Sequence, residues 1–134
     1  MDNRELLYRD LCAAYEAVRR SHYRCKKMRL YEMAVNLPAP RYYVSPRSAY
    51  LVIYPLLLGR TDHFVRMKEA KRELYISLYT KVVELSRQRE YYGKGLMELL
   101  PFALRQPAPR FFISPIRARH IIKEYLCEKK SEKS

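Results

Sequence analysis

The side chains able to hold a metal or form a nucleophile–base pair are few: Cys12, Cys25, Cys127, His22, His63 and His120. Structural zinc sites need two ligand pairs at short spacing. Only His22 and Cys25 approach such a pair, and no second pair follows. Gly93, Lys94 and Gly95 lack the rest of a phosphate-binding loop and precede a helix-like run, not a strand-to-helix turn. No Gly-x-Ser-x-Gly, no His-Glu-x-x-His and no acidic cluster suited to two metal ions occurs. Carboxylates are spread along helical runs, where a Lys or Arg four residues on pairs with them. The expectation is a non-enzymatic chain with no cofactor and no metal.

Positive charge is what remains. The chain has 134 residues with 27 Lys and Arg against 14 Asp and Glu, a net charge of +13. The excess is not a tail: residues 1–67 hold 12 against 6, and residues 68–134 hold 15 against 8. Such a field attracts polyanions, although it also serves solubility. Arg19, Arg20, Arg24, Lys26, Lys27 and Arg29 crowd into eleven positions, either as a solvated helix end or as a phosphate clamp. Arg117, Arg119, His120 and Lys123 lie opposite the apolar positions Ala118, Ile121, Ile122, Tyr125 and Leu126. A short helix, a turn and then a helix with basic residues in its first turn is how a helix-turn-helix protein addresses a major groove, although the intervening turn here is longer than that motif uses. Arg41 and Arg110, beside stiff prolines, fit phosphate contact or, slightly better, an internal role.

Nucleic acid, DNA ahead of RNA, is therefore the expected partner. The RNA alternative would stack bases on Tyr23, Tyr91 and Tyr92. A second class of reading is a protein-interaction or assembly component, with the thirteen tyrosines facing a protein partner or another copy of the chain.

The elements that must position these groups are helices. Hydrophobic residues make up 49% of the chain, only three residues are glycine, and no run alternates as a strand would. A repeat organises the rest. Residues 38–46 read PAPRYYVSP and residues 107–115 read PAPRFFISP, an offset of 69, continued by Ala49 and Ala118 and by Val52-Ile53 and Ile121-Ile122. Arg4-Glu5-Leu6 matches Arg72-Glu73-Leu74 at an offset of 68.

Each copy reads as three helices. The first covers about residues 4–20 with Leu7, Leu11, Ala14, Tyr15 and Val18 as its stripe, or 68–89 with Leu74, Leu78, Val82 and Leu85. The second covers 30–37 or 96–105 and is stopped by Pro38 or Pro107. Ser45-Pro46 and Ser114-Pro115 then open the third, over 46–58 or 115–128. Of the aromatic pairs Tyr42-Tyr43 and Phe111-Phe112, one ring is expected to plug each core, ahead of a role in base stacking. The expected fold class is all-α, a tandem pair of three-helix, helix-turn-helix-like modules. They span 1–60 and 69–128, with a linker over 61–68 and a frayed charged tail over 129–134. The run from Ala49 to Leu58 is apolar on nearly all faces and is expected to be buried between the modules. At about ten residues it is too short to cross a bilayer.

The turns over Pro38–Pro46 and Pro107–Pro115, and the run Lys71-Arg72-Glu73-Leu74-Tyr75, resemble those of small proteins from gut Bacteroidales and their phages and mobile elements. The resemblance implies a bacterial or phage setting and brings no activity or site residue. The polar opening residues and the odd, scattered cysteines suggest a cytoplasmic chain with reduced thiols.

Overall fold

The computed structural model describes residues 2–133, with side chains to residue 126. It contains α1 (Asn3–Ser21), α2 (Lys27–Val35), α3 (Pro46–Leu57), α4 (Asp62–Val65), α5 (Glu69–Ser86), a 3-10 turn (Arg89–Tyr91), α6 (Leu96–Leu104) and α7 (Pro115–Lys133). Among the described residues there is no β-strand. The fold is all-α, as the composition and periodicity require. No helix among the described residues is long and apolar enough to cross a membrane.

Local chemistry sets the helix ends. Asp2 caps α1 by accepting from the Glu5 amide at 2.8 Å. Ser45 caps α3 through the Ser48 amide at 3.2 Å, and Ser114 caps α7 through the Arg117 amide at 3.1 Å. Each serine precedes a proline at the first helical position, where a missing N–H costs nothing. Pro55 lies inside α3, which ends two residues later, and Gly59 follows at φ +76°, a left-handed value that glycine adopts without a Cβ clash. The segment over 61–68 contains the single turn α4. The last helix continues to Lys133 and so includes residues 129–133; residue 134 lies outside the described residues.

The compact units do not follow the sequence repeat. One unit comprises residues 1–39 and 109–134, the other residues 40–108. The first therefore packs α1, α2 and α7, and the second packs α3, α5 and α6. The third helix of each repeat is exchanged, completing the three-helix unit begun by the other. Both crossing points fall inside the Pro-Ala-Pro-Arg repeats, after Ala39 and after Ala108. This replaces the arrangement of two self-contained modules over 1–60 and 69–128. It also removes the helix-turn-helix, because α6 packs on α5 and α3 while α7 packs on α1 and α2.

Burial follows the repeat closely. In α1 the buried residues are Tyr8, Leu11, Cys12, Tyr15 and Val18; in α5 they are Tyr75, Leu78, Val82 and Leu85. Leu7 and Leu74, expected on these stripes, give way to the tyrosines that follow them. The recurring positions in these helices are 67 apart, so the Arg-Glu-Leu match at 68 is out of the packing register. Leu30, Tyr31, Ala34 and Val35 of α2 correspond at 69 to Leu99, Leu100, Ala103 and Leu104 of α6. Ala49, Val52 and Ile53 likewise correspond to Ala118, Ile121 and Ile122. Removing each large aliphatic side chain from water contributes about 2 kcal/mol.

The first ring of each aromatic pair, Tyr42 or Phe111, is buried, while Tyr43 and Phe112 are half-buried. Tyr42 shares a hydrogen bond of 2.5 Å with the Ser77 hydroxyl. Phe112 takes a left-handed backbone (φ +58°), a conformation uncommon for a bulky residue.

Candidate nucleic-acid interface

All ten cations singled out from the sequence belong to the unit built from α1, α2 and α7. The repeat had divided them between two modules; the helix exchange joins them. This unit holds 15 Lys and Arg against 8 Asp and Glu, a net of +7.

On α7 the apolar side is Ala118, Ile121 and Ile122, all buried, which leaves Arg117, Arg119, His120 and Lys123 exposed. Positions three and four apart are neighbours on a helix surface, so these four form one basic strip. Glu124 interrupts it but is already engaged: Arg4 reaches Glu124 Oε1 at 2.9 Å, and the Tyr8 hydroxyl donates to Oε2 at 3.2 Å. Arg119 also works inward on α2. Tyr31 stacks on Tyr15 with ring centroids 5.0 Å apart. Burial raises the Tyr31 phenol above its ordinary range, Tyr15 adds to this, and the positive charge of Arg119 pulls it back.

The cluster over 19–29 spans the end of α1, a short connection and the start of α2. Arg19 pairs with Glu16 at 2.9 Å and Arg29 with Glu32 at 3.1 Å. Among the described residues, Arg20, Arg24, Lys26, Lys27, Arg117, Arg119 and Lys123 have no carboxylate within 4.0 Å. Arg19 and Arg20 suit the negative end of the α1 dipole. Lys26 and Lys27 do not suit their place. They stand at the start of α2, where an anion is favoured, with no acidic residue in the first turn and no side-chain cap. Helix stability does not explain cations there.

Arg110 differs from the other nine. It is half-buried, and its guanidinium lies 5.1 Å from the centroid of the Phe112 ring. Cys12 is buried and Cys25 exposed. Among the described residues no three His, Cys, Asp or Glu side chains come together to hold a metal.

The unit of α3, α5 and α6 presents a different surface. Only Ala49, Val52 and Ile53 of α3 are buried, while Leu51, Tyr54, Leu57 and Leu58 are exposed. The run expected to be buried on all sides is thus half open. It packs mainly on α6 and α5, with a smaller contact to α4, and one apolar stripe is enough for a three-helix unit. No protein-family model, no curated protein and no solved structure matches this chain.

Proposed function

We propose that this is a non-catalytic nucleic-acid-binding protein whose binding surface is the unit formed by α1, α2 and α7. One observation carries the reading: the helix exchange gathers the 19–29 cluster and the α7 strip into one compact unit, seven of whose cations have no acidic partner among the described residues. Cations without an acidic partner can meet phosphates and release condensed counterions. With α6 and α7 in separate units, the major-groove argument for duplex DNA loses its structural basis, and phosphate contact becomes the main source of affinity.

Fluorescence anisotropy of labelled oligonucleotides across a salt series tests this. Wild type is expected to bind at micromolar concentration or tighter, with affinity falling steeply as salt rises. Arg117→Ala/Arg119→Ala/Lys123→Ala and Arg24→Ala/Lys26→Ala/Lys27→Ala should each weaken binding and flatten the salt dependence. Absence of binding to any oligonucleotide at low salt overturns the proposal.

A second reading is favoured by the open face of α3. Leu51, Tyr54, Leu57 and Leu58 suit a protein partner in an assembly, and such a role is compatible with nucleic-acid binding by the other unit.

A further inference from the structure

A largely exposed connection joins α1 to α2 over residues 22–26 in one unit and α5 to α6 over residues 87–95 in the other. Each connection carries a tyrosine in water. Tyr23 is 72% exposed and Tyr92 is 85% exposed, the two most exposed large hydrophobic side chains among the described residues. They stand 69 positions apart, the same offset that relates the Pro-Ala-Pro-Arg segments. Arg20 and Arg89 are related in the same way. Of the other aromatic positions that recur at this offset, Tyr43 and Phe112 are half-buried, and Tyr42 and Phe111 enter a core. Core packing therefore explains that pair and leaves Tyr23 and Tyr92 unexplained.

Cations lie near both rings in the sequence, and one of them reaches Tyr23. The Arg24 guanidinium lies 5.5 Å from the Tyr23 centroid, and Arg20, Lys26 and Lys27 flank it, with no acidic residue between Glu16 and Glu32. Beside Tyr92, the Lys94 ammonium lies 5.8 Å from the Tyr91 ring and 5.3 Å from the Phe102 ring. Those two rings pack at 5.1 Å, which fixes the base of the connection, and Gly93 (φ +82°) turns the chain just after Tyr92. Arg87 and Arg89 add charge, with Glu90 the one acid between Arg87 and Gly95.

A solvated ring flanked by cations is the chemistry of single-strand recognition. Bases stack on the ring, phosphates meet the cations, and every base offers a π-face. A duplex hides those faces, and a loop tyrosine reaches them only by unstacking the helix. We infer that Tyr23 and Tyr92 are base-stacking platforms, one on each unit, and that the ligand is single-stranded nucleic acid bound with little sequence preference. This rests on the nucleic-acid reading above, adds Tyr92 of the second unit to its surface, and specifies the form of its ligand.

The test is anisotropy of the full chain with a labelled single strand, its ribonucleotide and deoxyribonucleotide versions, and the same sequence as a blunt duplex, all at one ionic strength. Wild type should prefer the single strands. Tyr23→Ala/Tyr92→Ala should lose about tenfold or more in single-strand affinity, with the salt slope and duplex binding unchanged. Tyr23→Phe/Tyr92→Phe, which keeps the rings, should bind as wild type. Equal affinity for the two single strands supports recognition by base and phosphate alone. Tighter binding of RNA also supports the inference and adds a contact to the 2′-hydroxyl. Binding that prefers the duplex, or that the alanine variant keeps in full, overturns the stacking inference while leaving the nucleic-acid reading standing. No binding of any oligonucleotide overturns both. Both tyrosines are exposed, so an unchanged circular dichroism melt confirms that the variants fold.

Discussion

The amide of Phe111 donates to the carbonyl of Val35 at 3.0 Å, although the two residues belong to different copies of the repeat. The second unit has the equivalent bond, from the Tyr42 amide to the Leu104 carbonyl at 2.9 Å. The last carbonyls of a helix have no partner within it. Here the final carbonyls of α2 and α6 are satisfied by the segments that deliver α7 and α3. The exchange of third helices is thus fixed by backbone bonding as well as by apolar burial.

Severing the chain within residues 61–68 tests the exchange. The first fragment would hold α1 and α2 without α7, and the second α5 and α6 without α3. Each alone is expected to lose most helical signal and cooperative melting, and mixing should restore both in a one-to-one complex. Fragments that fold separately with the stability of the intact chain would refute the exchanged arrangement.

Ile121 and Ile53 are fully buried and related by the repeat. Truncation of either to alanine removes packing and leaves a cavity, at about 2–4 kcal/mol. Urea unfolding of Ile121→Ala should show the loss in the unit that carries the basic strip, with reduced nucleic-acid binding once that unit opens.

Tyr42→Phe removes one hydroxyl from the 2.5 Å contact with Ser77. Ser77 is half-exposed and can turn to water, so the expected cost is about 1 kcal/mol. Phe111, at the same place in the other repeat, shows that the ring alone fits such a core. A loss of several kcal/mol in denaturant unfolding would contradict this account.

Ser114→Ala removes the oxygen that accepts the Arg117 amide. About 1 kcal/mol of stability should go with it, measured as a lowered melting temperature, together with fraying of the first turn of α7 that carries Arg117.

Burial raises the phenols of Tyr31, Tyr42 and Tyr75 above the ordinary tyrosine range, with Tyr15 reinforcing the effect at Tyr31 and Ser77 opposing it at Tyr42. A raised value means the folded chain holds these protons more tightly than the unfolded one. Their contribution to stability is full below about pH 10 and is lost as pH climbs through the raised values. Alkaline titration followed by tyrosinate absorbance and circular dichroism should show a late group of tyrosines that ionises together with unfolding. Ionisation of all thirteen tyrosines near pH 10, with the fold intact, would contradict the burial.

Most of the secondary structure was legible in the sequence. Ser45-Pro46 and Ser114-Pro115 announced two helix starts, Pro38 and Pro107 two helix ends, and apolar spacing the stripes of α1 and α5. These are local effects of capping, ring closure and periodicity, and they need no knowledge of distant residues. Leu7 was expected on the stripe, but the neighbouring Tyr8 is the buried residue, with its hydroxyl bonded to Glu124 of α7. The cations were identifiable by type, but their gathering into one unit was not. Two repeats with matching apolar stripes offer either third helix to either pair, so local sequence leaves self-contained and exchanged units open. Stiff Pro-Ala-Pro segments hold the chain extended as it leaves α2 and α6. The bonds from Phe111 to Val35 and from Tyr42 to Leu104 then commit each third helix to the other repeat. Charge, helices and repeat were properties of the sequence; which helices share a core, and hence which cations share a surface, was decided by tertiary packing.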